Sequence, residues 1–231
     1  FKIADRFNII DKPNHRSSHT SITIRGGGIL FPFAVFVYAL TNGFQDAYLV
    51  IGLIAISAVS FLDDILTLNN KIRLSVHFTS VLLLFFQWNL FSLDWYWLLI
   101  ALIFVIATIN AYNFMDGING ITGGYSLLTI ATLYYINNKV TEFTSNELLV
   151  IVGLSLIVFN FFNYRKKAKC FAGDVGSVSI AFIVTFFIGQ LILKTQNLSY
   201  ILLLLVYGTD TAFTVFFRKI RRENIFEAHR S

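Results

Sequence analysis

Residues 95–112 read WYWLLIALIFVIATINAY, and residues 113–120 continue NFMDGING. The first run carries no charged side chain from Trp95 to Tyr112. As a helix it is long enough to cross most of the ~30 Å hydrocarbon core of a bilayer. Amides, a carboxylate and glycines follow at its end, so an apolar span delivers a polar motif. Eight such apolar stretches stand out, at roughly 28–42, 47–62, 74–91, 95–112, 121–137, 147–163, 177–193 and 198–217. Each is near the ~17–25 residues that span a bilayer, several at the short end. Most lack the amphipathic period of a soluble surface helix. The alternation of a barrel strand is missing too, and lipid admits only helices or closed barrels. The expected fold is all-α, a polytopic transmembrane helical bundle of about eight spans.

Composition agrees. The chain is 56% hydrophobic and 13% charged, with 25 Phe and 2 Pro, and its mean hydropathy is +0.68. A soluble domain is ~25% charged. Half that charge does not coat a soluble globule, so the lipid bilayer is an expected partner over much of the surface. The lone Cys170 excludes an internal disulfide. Residues 1–231 read as a single transmembrane domain, with no linker, low-complexity tract or internal repeat. The chain opens on Phe1 and has Met115 as its one Met, so both ends read as truncated.

The net charge of +5 is informative by position, and no nucleic-acid partner is expected from it. If the spans alternate, one side collects residues 1–27, 63–73, 113–120, 164–176 and 218–231. Of 18 Lys and Arg, all but Lys139 and Lys194 fall there. The positive-inside rule makes that side cytoplasmic. His15, His19, His77 and His229 lie there as well.

The same side holds the polar motifs. Arg25-Gly26-Gly27-Gly28 opens a span; glycines there would let backbone N–H groups approach an anion, or give a flexible entry to the helix. Asp63 and Asp64 are adjacent carboxylates at a bilayer edge, where a divalent metal, a cationic partner or simple solvation would relieve their repulsion. Lys71 and Arg73 follow as phosphate partners or membrane anchors. Asn110 and Asn113 share a helix face, and Asp116-Gly117 forms a turn. Asp174 stands between Gly173 and Gly176 just before a span; oxygen ligands of this kind suit Mg²⁺. Asp210 reads as embedded in the last stretch, either functional or paired with Arg218. No zinc-ligand spacing is present.

The ordered set PNHRSSH…RGGG, FLDD, NAYNFMDGINGITGG, FAGDVGS and EAHRS resembles the polyprenyl-phosphate N-acetylhexosamine-1-phosphate transferases, glycosyltransferase family 4. It looks closer to the bacterial enzymes that start O-antigen and similar surface glycans than to the muramoyl-pentapeptide transferase. The resemblance runs through nearly the whole chain and implies transfer of N-acetylhexosamine-1-phosphate from a UDP-sugar to undecaprenyl phosphate. It implies a multi-pass protein of the bacterial inner membrane, with Mg²⁺ as cofactor, Mn²⁺ as a substitute, and a homodimer left open. On matching positions it implies catalytic roles for Asp63, Asp64, Asp116 and His229. His19, Arg25, Lys71, Arg73, Asn110 and Asn113 would bind substrate, and Asp174 with Asp116 would hold the metal. The family's last motif normally continues with another histidine; this sequence stops at Ser231. The rival class is a transporter or flippase of a lipid-linked or anionic substrate, which predicts charges near the midplane and interrupted helices in matched halves.

Overall fold

The computed structural model describes residues 9–11, 22–66 and 68–221. Among them are eight α-helices: α1 Leu30–Asn42, α2 Ala47–Leu66, α3 Asn70–Gln87, α4 Trp95–Met115, α5 Ile121–Lys139, α6 Asn146–Asn163, α7 Gly173–Thr195 and α8 Leu205–Ile220. A short antiparallel ribbon pairs β1, Ile10–Asp11, with β2, Thr23–Ile24. The all-α bundle expected from the sequence is the fold observed.

Local chemistry sets most helix ends. Gly43 ends α1 in the left-handed conformation, at φ 79°, where glycine meets no Cβ penalty. The Asn69 side chain accepts from the Lys71 N–H at the start of α3, and Ser145 accepts from Leu148 at the start of α6. These caps satisfy N–H groups that the helix itself leaves unpaired. The α7 N-terminus has no such local cap, because Ala172 precedes it.

Helix α7 is the axis of the bundle, packed by α1, α2, α4 and α5. In its best spanning window 83% of the residues are buried, against 22% for α4. Phe182, Ile183, Val184 and Thr185 point in successive directions and are all buried, as in a helix enclosed on every side. Small residues let neighbours close on it. Ser57 of α2 meets Ser179 of α7 across a 2.8 Å hydrogen bond, and Gly52 leaves room for Phe182. Lipid offers no hydrophobic drive between helices, so such close contacts and shared hydrogen bonds hold them together.

Five stretches are long and apolar enough to cross a membrane by length and composition: α2, α4, α6, α7 and residues 198–220. Helix α1 is shorter. Helices α3 and α5 are more polar because they turn polar side chains inward: His77 and Ser80 on α3, Thr122, Ser126, Thr129 and Asn137 on α5.

The last stretch departs from expectation. It is not one continuous α-helix; a 3-10 segment, Leu198–Leu204, precedes α8. The Tyr125 hydroxyl donates to the Leu203 carbonyl, and the Tyr207 hydroxyl meets Thr122. Residues 203–207 have therefore already reached the end of the bundle where α5 begins. Asp210 lies about 4.5 Å further along the axis; it is exposed and sits near that same end, not at mid-bundle. Polar residues recur on α8 at Asp210, Thr211, Thr214 and Arg218, a helical stripe that apolar content alone concealed.

The segment before α1 is zipped onto the start of α7. Phe171 N–H donates to the Ile24 carbonyl (2.8 Å), Gly27 N–H to Phe171 (2.8 Å) and Gly28 N–H to Ala172 (3.1 Å). A Cβ on Gly28 would stand 2.1 Å from the Gly176 Cα, so two backbones touch where any side chain would part them. Gly28→Ala should therefore destabilise the protein by about 1–3 kcal/mol, the usual size of an overpacking penalty. A Cβ on Gly124 meets nothing within 4 Å, so Gly124→Ala should leave stability unchanged or raise it. Thermal unfolding in detergent separates the two; equal melting temperatures would contradict this packing.

Candidate active site

Six elements bring their polar ends together at one end of the bundle: the segment before α1, the last turn of α2, the first turns of α3, α5 and α7, and the α4–α5 turn. Helix α2 runs past the expected boundary to Leu66, so Asp63 and Asp64 stand in its final turn. Helix α7 begins at Gly173, earlier than expected, so Asp174 stands in its first turn.

The acidic pair is divided between two tasks. Asp64 is 1% exposed at its side chain. Its Oδ1 accepts from the Asp174 N–H (3.1 Å) and its Oδ2 from the Val175 N–H (3.2 Å). It is thus the missing cap of α7, supplied from another helix, and its charge lies against the positive end of that helix. Gly173 permits the approach: it has φ +71°, and a Cβ there would lie 2.6 Å from Asp64 Oδ2. Asp63 instead accepts from the Leu68 N–H (2.6 Å) and from Arg73 Nη1 (2.8 Å). Each carboxylate has its own donors, which offsets their mutual repulsion.

Two half-exposed guanidinium groups lie over this floor. Arg73 Nη1 is also 3.8 Å from Asp174 Oδ2, and Arg25 Nη1 is 3.7 Å from Asp64 Oδ1. Arg25 reaches Asp11 as well, at 4.0 Å. Guanidinium forks suit the bidentate binding of phosphate.

Asn113 joins α4 to α7. Its Oδ1 accepts from the Ser177 hydroxyl (3.1 Å), and its side chain lies beside the Asp174 carboxylate. Asp116 follows α4, half-buried, beside the Thr122 side chain. Burial pushes its carboxyl up to about 7; Thr122 opposes that shift, Asp174 and Asp64 add to it, and Arg25 works against it. A carboxyl raised this way is one whose charged form a bound cation would stabilise.

Among the described residues, no three His, Cys, Asp or Glu side chains converge as a metal cage. Asp116 and Asp174 nonetheless lie within charge range of one another, and Asp174 is 34% exposed at its side chain. That donor set fits Mg²⁺, which is commonly held by one or two carboxylates and completed by water and substrate phosphates.

The structure therefore gathers Asp63, Asp64, Asp116, Asp174, Arg25, Arg73 and Asn113. Lys71 and Asn110 are exposed and stand at the margin. His19 and His229 lie outside the described residues. The glycine triplet is not an anion cradle, because Gly27 and Gly28 direct their N–H groups to Phe171 and Ala172 carbonyls. Ser177, Thr122 and Asn163 were not singled out by sequence reasoning. Asn163 accepts from the Gly120 N–H (2.7 Å) and donates to the Cys170 carbonyl (2.8 Å), tying the two glycine–aspartate turns together. An Asn at a helix end before a basic loop gives no signal of that role.

Basic residues mark the same end. Arg25, Lys71, Arg73, Arg165, Lys166, Lys167 and Lys169 lie there, and Lys139 and Lys194 at the other.

Comparison with known proteins agrees with this arrangement. The model of glycosyl transferase family 4 matches residues 47–194. A Bacillus subtilis (strain 168) protein named "Probable undecaprenyl-phosphate N-acetylglucosaminyl 1-phosphate transferase" is 22% identical, over 97% of this chain and 68% of its own. The Escherichia coli (strain K12) undecaprenyl-phosphate alpha-N-acetylglucosaminyl 1-phosphate transferase is 28% identical over 79% of this chain. The phospho-N-acetylmuramoyl-pentapeptide-transferase of Thermotoga maritima is 25% identical, over 87% of this chain and 71% of its own. The chain spans 55% of the length of the Escherichia coli relative. With its apolar helices and bacterial relatives, this is a multi-pass membrane protein. The match over most of its length, with the motifs assembled at one end of the bundle, means that the chain belongs to glycosyl transferase family 4.

Proposed function

We propose that the protein transfers N-acetylhexosamine-1-phosphate from a UDP-sugar to undecaprenyl phosphate, at the cytoplasmic face of the bacterial inner membrane. The observation that carries this reading is the convergence of four aspartates and two arginines at one end of a membrane bundle. A soluble, doubly charged donor and a membrane-held acceptor phosphate meet only at such an end. The names of the relatives support undecaprenyl phosphate as acceptor and N-acetylglucosamine as the first sugar to test. The same placement speaks against the transporter reading, since the gathered charges are at helix ends.

In the reaction an oxygen of the lipid phosphate attacks the sugar-bearing phosphorus. The bond from that phosphorus to the bridging oxygen breaks, UMP leaves with the oxygen, and a lipid diphospho-sugar forms. A phosphomonoester has its second pKa near ~6 and is already largely ionised at neutral pH. Little proton remains for a base to remove, so positioning and charge neutralisation dominate. Arg73 and Arg25 would hold phosphate oxygens. Asp63 orients Arg73 toward the acceptor, and Asp64 fixes the start of α7 and so presents Asp174. Asp174, with Asp116, would hold Mg²⁺, which when bound neutralises charge on the donor diphosphate.

Three measurements check this. Full-length protein with undecaprenyl phosphate, Mg²⁺ and a panel of UDP-N-acetylhexosamines should release UMP with at least one donor. No UMP from any of them would sink the proposal. Asp174→Asn should lower kcat by about 100-fold or more and move Mg²⁺ activation to higher concentration. An unaltered Mg²⁺ dependence would remove Asp174 from the metal site. Asp63→Asn, which loosens Arg73, should lower turnover by about tenfold or more; normal turnover would contradict its role.

A further inference from the structure

Asp11 lies beside the site, and the reaction above gives it no task. It stands in the β1–β2 ribbon, where Ile10 pairs with Ile24 and Asp11 with Thr23. Alternate residues of a strand share a face, and a long side chain also reaches the diagonal neighbour across the pair. The pairing runs on to Arg25, whose N–H donates to the Ile9 carbonyl (3.1 Å). Thr23 and Arg25 are alternates, so the register sets Asp11 diagonally against Arg25. The contact follows: Arg25 Nη2 is 4.0 Å from Asp11 Oδ1.

The Arg25 backbone is fixed on both sides. Phe171 N–H donates to the Ile24 carbonyl before it, and Gly27 N–H to the Phe171 carbonyl after it. Its stem passes Gly173, where a Cβ would stand 3.1 Å from Arg25 Cγ. What remains to be set is the guanidinium. Its two terminal nitrogens face different carboxylates, Nη1 toward Asp64 Oδ1 at 3.7 Å and Nη2 toward Asp11 at 4.0 Å. Both distances are in ion-pair range and beyond hydrogen-bond length. Asp64 already accepts from the Asp174 and Val175 N–H groups. The guanidinium is thus balanced between two charges, and with its side chain 39% exposed it keeps its donors open to an incoming oxygen. A planar fork recognises phosphate by its orientation as well as its charge. Without the Asp11 charge, Arg25 would swing onto Asp64, spend its donors there and compete with the cap of α7.

We infer that Asp11 is a positioning residue for Arg25, the second anchor that holds the guanidinium off Asp64 and open to a phosphate oxygen. This rests on the transferase reading, in which Arg25 binds phosphate.

The sign of one measurement separates an anchor from a mere negative charge. Asp11→Asn keeps the shape of the side chain and removes the charge. A carboxylate that only repelled anions would, once neutralised, leave inorganic pyrophosphate bound more tightly, as measured by calorimetry without Mg²⁺. As an anchor, its loss should instead weaken pyrophosphate binding about fivefold. It should also lower kcat/KM for the UDP-sugar about tenfold. Asp11→Glu, which keeps the charge, should restore both to within about threefold of wild type. In an Arg25→Gln background, Asp11→Asn should weaken neither any further. Tighter or unchanged pyrophosphate binding in Asp11→Asn, losses that multiply in the double variant, or wild-type protein that binds no pyrophosphate would each overturn the inference. If wild-type protein releases no UMP, the transferase reading fails, and the pyrophosphate series still decides the role of Asp11.

Discussion

The Asp64 carboxylate on the first N–H groups of α7 is the contact on which the rest of the site depends. Helix α7 is enclosed by its neighbours, and Asp64, itself 1% exposed at its side chain, covers the N–H groups of Asp174 and Val175 in its first turn. A backbone donor left unsatisfied at a buried helix start is costly, and a carboxylate cap that satisfies it contributes about 1–2 kcal/mol. One interaction thus satisfies the axis of the bundle, fixes the end of α2 against it, and presents Asp174 beside Arg73. Gly173 and Gly28 follow from the same requirement, because side chains at either would push the α2 carboxylate or the segment before α1 away from that helix start.

The membrane interior shapes the rest. Helices in lipid gain little by hiding apolar surface from one another, so contact depends on closeness and on shared polar groups. The Ser57–Ser179 bond, the inward polar faces of α3 and α5, and the Asn113–Ser177–Asp174 cluster are versions of one solution. Toward the site end these contacts carry charge; toward the other end, among the described residues, charged groups enter through the Gln87–Asp46 bond (3.1 Å) and the local Tyr96–Asp94 bond (2.9 Å). Polarity therefore rises along the bundle to the surface where a lipid phosphate and a soluble nucleotide would meet.

The number of helices and the side on which charge gathers were legible in the sequence, because lipid imposes composition directly. Trp95–Met115 needed no partner to be recognised as a span. The aspartates were legible as a set, since four carboxylates at span ends have no structural economy of their own. Their division of labour was not. Asp63 and Asp64 differ by one position, yet that turn of α2 sends one to Arg73 and the other to a helix start 110 residues away. The break at Leu198–Leu204 was hidden because an apolar 3-10 segment and an apolar α-helix share a composition. The glycine triplet read equally as an anion cradle or a flexible helix entry, because the backbone it meets, at Phe171 and Ala172, is distant in the chain.

The central claim is that Asp64 closes the start of α7. Amide hydrogen exchange across residues 171–178, compared between wild type and Asp64→Ala in the same detergent, tests it most directly. In Asp64→Ala, protection at Asp174 and Val175 should be lost while the middle of α7 stays protected. Equal protection of that first turn in the two proteins would contradict it.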